Sequence, residues 1–372
     1  MKRLHISNIH RSLGAQLVEY AGWEMPLSYT SLAEEHMAVR NATGIFDASH
    51  MGEFSVRGPK ALDLLQGIAT NDASKLVVGG VQYAAITNDR GGTRDDVFVY
   101  RLGESDYMIV CNASNVEKIG SWLSEKNKAG AEIKDITMTT TLFAVQGPKA
   151  LPALQEITDF ELGKMKRFRA AWADIGGAVA LVSRTGYTGE DGFEIFLTNE
   201  PTSNPKRAEK LWMTILKSGE NYGIKSCGLG ARDTVRLEAG LCLYGNELTE
   251  EISPLEARIE YAVSLEKENF TGLEALREQK KSGLKEIRVG LRMLEPGIPR
   301  RGYGIFRDDT KVGEISSGTF SPLLKVGIAM GYLPPEIKTS ETVSVEIHEK
   351  KRTAKIVEWP FYNPSMYGHK RK

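Results

Sequence analysis

The chain has 372 residues, of which 41% are hydrophobic and 26% charged, and Lys plus Arg equals Asp plus Glu at 48 each. This is apolar material for two or three cored domains, and the zero balance argues against the basic excess of a dedicated nucleic-acid binder. No uncharged apolar run approaches the ~20 residues of a membrane span, and the start, MKRLHISNIHRSLG, lacks a signal-peptide apolar core. Cys111, Cys227 and Cys242 form no CxxC pair and no metal spacing, so buried thiols in a reducing compartment are expected. The expectation is a cytoplasmic protein that engages neither nucleic acid nor membrane.

In chain order, the first informative stretch is FSVRGPKALDLLQGI at 54–68, because it returns as FAVQGPKALPALQEI at 143–157, 89 residues on. Each copy runs from alternating apolar residues through Gly-Pro into helical spacing. Gly58 and Gly147 suit a helix N-cap, and Pro59 and Pro148 suit the first helical position. Pro152 lies inside the second helix, which should kink or begin late. Two related strand–helix units are the reading, not a solenoid.

Between the copies, NDRGGTRDDVFVY at 88–100 places two carboxylates at the mouth of a strand. Side chains alternate, so Asp95 shares a face with Val97 and Val99, and Asp96 shares one with Phe98 and Tyr100. The Phe/Tyr face suits a flat heteroaromatic ligand. Spacing alone leaves open whether the pair does chemistry or only caps the turn that follows Gly91 and Gly92. SNVEKIGSWLSEK reads as a helix capped by Ser114, with Glu117 closing a capping box.

After the second copy, RTGYTGEDGFEIF at 184–196 spaces Gly186, Gly189 and Gly192 by three without a following Gly-Lys-Ser/Thr, so it is no P-loop. It is either a plain hairpin turn or a loop whose backbone approaches something closely. Glu194 beyond it could accept from a donor–donor edge such as an aminopyrimidinone's. GLGARDTVRLEAGL at 228–241 is half a dinucleotide fingerprint, with Asp233 where the third glycine belongs and a poor strand, YGIKSC, before it. Arg232 and Arg236 lie one helical turn apart, either in structural ion pairs or with Arg232 facing a ligand. TGLEALREQKKSG reads as a helix capped by Thr271 and ended by Gly283. Beyond 284 short alternating stretches broken by Gly and Pro read as an all-β unit. The histidines show no metal spacing, and His50 reads as a satisfied structural histidine.

Taken together and in order, YAGWEMPLSY, GIFDASHMGE, TNDASKL, GGTRDDVFVYR, SRTGYTGEDGFEI, CGLGARDTVRLEAGLCLYGNEL, SPLEARIEYAV, FTGLEALREQ and SSGTFSPLL resemble the glycine cleavage system T-protein (aminomethyltransferase) family over essentially the whole chain. The resemblance implies an α+β fold: a three-domain cloverleaf around a central folate channel. Two interleaved α+β domains with antiparallel sheets are expected, residues 1–52 with 139–246 and residues 53–138 with 247–283. A C-terminal β-barrel or jelly-roll-like domain is expected over 284–372.

The family's reaction passes a one-carbon unit from the aminomethylated dihydrolipoyl arm of a lipoylated H-protein to tetrahydrofolate. Ammonia and 5,10-methylenetetrahydrofolate are released, and no metal is implied. By resemblance Asp96 is the catalytic carboxylate, as base or as positioning group. Met51, Tyr83, Tyr100, Asn112 and Tyr187 match pocket-lining residues, Glu194 the carboxylate that reads the pterin edge, and Arg232 the arginine of the channel. Tyr367 matches a C-terminal folate contact. Two other activities share the fold, a non-enzymatic folate-binding iron–sulfur maturation factor and a folate-dependent demethylase. The first carries a motif cysteine that this chain replaces with ENFTGLEA, and the intact Asp pair, GYTGEDG and GARD set weighs against the second.

Overall fold

The structure is a computed structural model that describes residues 1–128 and 130–371. Its contacts group into two compact units, one of residues 1–67, 73–83 and 97–233, the other of residues 68–72, 84–96 and 234–372. The chain passes between them inside two strands, Val81–Thr87 and Thr93–Gly103.

A six-stranded sheet in the first unit runs in the order Ala170–Ile175, Ala178–Ser183, Gly192–Thr198, Thr140–Gln146, Thr43–Asp47, Ile224–Ser226. Its pairings are antiparallel except the last, where Ile224–Ser226 lies parallel to Thr43–Asp47. The segment expected to be a poor strand is thus a short edge strand, paired with Thr43–Asp47. One face of the sheet packs Phe143, Val145, Phe193 and Ile195 against Leu211, Trp212 and Ile215 of the helix Lys206–Ser218, a helix with an apolar stripe at helical spacing. A five-stranded antiparallel sheet orders Val81–Thr87, Thr93–Gly103, Asp106–Cys111, Gly52–Arg57 and Glu132–Asp135. In the second unit six strands between Ile287 and Val357 close into a barrel. Closure removes every exposed edge, and the inward residues Val289, Leu291, Met293, Val343, Val345 and Ile347 keep the strand period of two.

The sequence repeat is a structural repeat, and it extends beyond the matched fifteen residues. Gln66 accepts the Ala73 N–H at 3.1 Å, and Gln155 accepts the Leu162 N–H at 3.0 Å. Arg101 donates to the Leu76 carbonyl at 2.6 Å, and Arg184 donates to the Met165 carbonyl at 2.7 Å. The two copies meet at an antiparallel bridge between Gly80 and Arg169. There Val81 N–H donates to Phe168 O (3.0 Å) and Ala170 N–H to Gly79 O (2.8 Å).

Helix starts differ from expectation. The repeat helices run Ala61–Ile68 and Ala150–Gln155, so Gly58 and Gly147 do not cap them and Pro59 and Pro148 lie in the turn before. Both glycines instead turn the chain at positive φ, +95° and +132°. Pro152 falls in a first turn, where its missing N–H is harmless, and that copy is two residues shorter. Ser114 lies in a 3-10 turn and the helix begins at Val116, with Asn115 at its cap and no side-chain bond. Thr271 gives way to Gly272 as the cap of Leu273–Ser282, and its carbonyl accepts the Thr87 hydroxyl instead. Tertiary hydrogen bonds outcompete local capping in these places.

The repeat glycines supply a test. A Cβ on Gly58 meets nothing within 4 Å, whereas one on Gly147 would sit 2.5 Å from the Ala42 carbonyl oxygen and 2.9 Å from that of Val39. Gly58→Ala is expected to cost about 1–2 kcal/mol for the left-handed backbone alone. Gly147→Ala is expected to cost more than about 3 kcal/mol, because backbone must also move. Urea denaturation of the two variants measures the difference.

Candidate functional site

The loop 184–192 is a rigid frame. Gln146, at the end of the central strand Thr140–Gln146, donates to the Thr185 carbonyl at 3.0 Å and accepts the Thr188 hydroxyl at 2.9 Å. A Cβ on Gly186 would fall 1.9 Å from Gln146 Oε1, so the glycine is there for close approach, to a side chain of the protein itself. Arg40, buried on the helix Leu32–Asn41, donates to the Thr188 carbonyl at 2.8 Å and pairs with buried Glu190 at 3.1 Å. Arg184 grips Asp191 through two parallel bonds of 3.0 and 2.6 Å.

Glu194 follows this frame on Gly192–Thr198 and is 8% exposed. The Thr185 hydroxyl donates to one of its oxygens, and its other oxygen has no protein partner among the described residues. Burial pushes its carboxyl up; the Thr185 bond and the charge of Arg232 pull it back. The result is a carboxylate with one acceptor position held open.

Arg232 comes from the helix Leu229–Glu238, whose start is fixed by Glu35. One Glu35 oxygen accepts the Gly228 N–H at 2.8 Å, and the other accepts those of Tyr29 (2.6 Å) and Thr30 (2.9 Å). A carboxylate at a helix N-terminus is favoured by both the free N–H groups and the dipole. The glycine pair there binds no phosphate in this arrangement: a Cβ on Gly228 would lie 2.2 Å from the Leu27 carbonyl oxygen, so Gly228 serves backbone packing. The Arg232 guanidinium stacks over the Tyr187 ring at 4.8 Å and has no hydrogen-bond or ion-pair partner among the described residues. It stands near enough to Glu194 to bias its charge, yet the two form no ion pair. Arg236, one turn on in the second unit, is spent on buried Glu247 at 2.8 Å. Of the two arginines, Arg236 takes the structural ion pair, and Arg232 does not.

The aromatic lining gathers around Phe98. Tyr83 lies 5.3 Å from its ring, and Met51, Phe98, Tyr100, Met108 and Val110 pack together. Tyr100 is buried, edge-on to Phe196 at 5.4 Å. Asn112 ends the strand Asp106–Cys111, its carbonyl accepting the Asn115 N–H. His50 is sealed from water with Nδ1 unpartnered, edge-on to Tyr20, which corrects the expectation of a satisfied histidine.

The aspartate pair divides as alternation requires. Asp95 is fully buried beside Val97 (2%) and Val99 (1%), while Asp96 and Phe98 are half-buried. The turn before them is closed by Asn88, whose Oδ1 accepts the N–H groups of Arg90 and Gly92 at 3.0 Å. Asp96 belongs to the second unit, where its charge acts on Cys242, Tyr244 and Tyr261. Tyr367 lies in the C-terminal tail against Tyr362, under Arg371. The first unit thus brings Met51, Tyr83 and Tyr100 around Phe98, and seats Arg232 on Tyr187 within electrostatic reach of Glu194. Thr185, Glu35, Arg40 and Gln146 were not foreseen; Thr185 and Gln146 lay inside stretches already singled out. Among the described residues no group of three or more His, Cys, Asp or Glu could hold a metal ion.

Comparison with known proteins agrees along the chain. Residues 6–267 match the family described as the GCVT N-terminal domain, and residues 287–363 match the glycine cleavage T-protein C-terminal barrel domain. A probable aminomethyltransferase of Thermococcus kodakarensis is 41% identical over 393 aligned positions, spanning 99% of this chain and 98% of its own. An aminomethyltransferase of Bacillus mycoides is 44% identical over 368 positions, spanning 98% and 99%. The crystal structure of glycine cleavage system aminomethyltransferase T from Bartonella henselae matches with a TM-score of 0.89 at 33% identity, over 97% of this chain and 98% of that one.

His50 yields a pH prediction. Burial first, and the charge of Arg232 second, lower it from 6.5 to about 3. The unfolded chain then binds a proton that the folded chain refuses, so stability falls as pH drops from the unfolded value toward the folded one. Between pH 6.5 and 5 the loss is expected to be about 2 kcal/mol. His50→Gln should remove that part of the slope, as read by urea denaturation at the two pH values.

Proposed function

The chain belongs to the glycine cleavage T-protein family of aminomethyltransferases, and we propose from that premise that its co-substrates are a lipoylated H-protein and tetrahydrofolate. The aminomethyl group arrives on a dihydrolipoyl sulfur of the partner. Its carbon passes to tetrahydrofolate, ammonia leaves, and 5,10-methylenetetrahydrofolate and the dihydrolipoyl arm are the products. The observation that carries this reading is the pair Glu194 and Arg232. Arg232 acts on the charge of buried Glu194 from its seat over the Tyr187 ring, yet the two form no ion pair and Glu194 keeps one oxygen without a protein partner among the described residues. Burying opposite charges without pairing them is costly unless a ligand completes them.

A reduced pterin fits that demand. Its amino group and ring N–H form a donor–donor edge for the open Glu194 oxygen, and its flat ring suits the Tyr83, Phe98 and Tyr100 faces. Arg232, propped on Tyr187, orients the ligand, with Met51 and Asn112 as further lining and Tyr367 as the C-terminal contact. Asp96 aligns the folate amines and stabilises the cation-like methylene carbon as it forms. Such a group works by holding charge where charge develops, so its loss should fall on turnover more than on binding.

The domain division 1–52 with 139–246, 53–138 with 247–283, and 284–372 is part of the same proposal. The six-stranded sheet and the barrel each lie within one of these sets, and the five-stranded sheet does so but for its first residue, Gly52. A cytoplasmic setting is proposed likewise. Cys111, Cys227 and Cys242 are buried and outside any disulfide, which suits a reducing compartment, and no described helix is long and apolar enough to cross a membrane.

The test is turnover of aminomethylated H-protein and tetrahydrofolate with ammonia release as readout; absence of release from the wild type overturns the reading. Glu194→Gln should raise the KM for tetrahydrofolate by about 10- to 100-fold, the loss of one hydrogen bond to a charged acceptor. Asp96→Asn should lower kcat by about 100-fold or more with the fold intact. Asp95→Asn, by contrast, should lower the urea midpoint with a smaller effect on kcat, and equal kcat losses at the two positions would refute the division of labour.

A further inference from the structure

One buried acid has no role in the account above. Glu53 lies on Gly52–Arg57 opposite Val110, and Val110 lies opposite Phe98. Residues directly opposite in antiparallel strands share a face, so Glu53 belongs to the sheet face that carries Phe98 and Tyr100. It is 0% exposed, and neither carboxyl oxygen has a hydrogen-bond partner among the described residues. Its backbone is ordinary: the N–H donates to Thr137 Oγ1 at 3.1 Å and the carbonyl accepts the Ile136 N–H at 2.9 Å. A buried carboxyl with both oxygens unmet is rare in native proteins and expensive to keep.

The charged and titratable groups around it are few. Asp135 ends the adjoining strand Glu132–Asp135, Glu194 faces it from Gly192–Thr198, and the Tyr100 hydroxyl feels both Glu194 and Glu53. His50, three residues earlier, stays neutral. Arg232 is the cation that acts on Glu194. Burial is the largest influence on Glu53, with Asp135 and Glu194 adding to it, and all three oppose ionisation. Glu194 has what Glu53 lacks, a donor in Thr185 and a cation in Arg232, so it ionises first.

We propose that Glu53 and Glu194 act as a single-charge pair, in which Glu53 keeps its proton so that Glu194 is the one anion presented to the donor edge of the pterin. Glu53 is on this view a positioning residue for folate recognition, and the proposal rests on the folate reading above. Ionising both would set two anions against one guanidinium in a medium of low dielectric constant. Glu194 would be driven from its place, and folate affinity would fall on the alkaline side.

The experiment is calorimetric binding of 5-formyltetrahydrofolate to the full chain at pH of about 7 and about 9.5, for wild type, Glu53→Gln and Glu53→Met. Wild type should lose affinity toward the alkaline end as Glu53 ionises, and both neutral variants should lose less than wild type. A variant that keeps the whole alkaline loss of the wild type overturns the pairing. A wild type that binds no folate at neutral pH overturns the folate reading and this proposal together, so the two failures are distinguishable. A ligand-free readout runs in parallel. A carboxyl neutral when folded and ionised when unfolded makes stability fall as pH climbs above the usual carboxylate range. Glu53→Gln should therefore gain stability over wild type as pH rises from about 4 to about 8, and parallel profiles would count against the pairing.

Discussion

A charge taken out of water must be met by something, and that constraint organises the first unit. Glu35 meets three backbone N–H groups, two from the segment after the strand Trp23–Ser28 and one at the start of the helix that carries Arg232. Arg40 meets Glu190 and the Thr188 carbonyl, and Arg184 meets Asp191. With these groups satisfied, loop and helix have one place to be. Among the groups not met in this way are Arg232 on its tyrosine, the second oxygen of Glu194, and the sealed acid Glu53.

What could be read in advance was what depends on short range or on a repeated pattern. Strand alternation separated Asp95 from Asp96, and the burial of Val97 and Val99 against the half-open Phe98 follows it. The GPKAL echo located two related units, and the alternating tail located the barrel. What could not be read depends on partners far along the chain. Ser114 and Thr271 have the right neighbours for capping, but Ser114 falls in a 3-10 turn and Gly272 takes the cap in place of Thr271. Glu35 and Gly228 are 193 positions apart, and no local pattern links them. The expectation of a satisfied His50 follows from how most buried histidines behave; its partnerless Nδ1 depends on surroundings that no local pattern encodes. Most of the site residues came from the family resemblance, not from periodicity, since Met51, Tyr83 and Asn112 carry no signature of their own.

The repeat shows which parts of a duplicated pattern persist as physics and which drift. The glutamine that catches the next turn and the arginine that reaches the following carbonyl recur in both copies with near-equal lengths. The glycines recur as well, yet one faces open space and the other two carbonyls. An identical residue can thus be a convenience in one copy and a requirement in the other. Substitution tolerance follows the surroundings of a position, not its place in the motif.

The passage of the chain between units inside two strands has a consequence for biosynthesis. The second unit holds residues 68–72 and 84–96 together with everything after 233. At roughly 5–20 residues per second, a nascent chain waits on the order of ten seconds or more between making those segments and making the first of their partners, and tens of seconds before the barrel is complete. During that interval the Asp96 end of its strand and the stretch before it lack most of their final neighbours. Unpaired strand edges are the part of a growing chain most exposed to wrong pairing. The segment carrying the proposed catalytic carboxylate is therefore also the one whose correct folding is decided last, and ribosome-associated protection would matter most there.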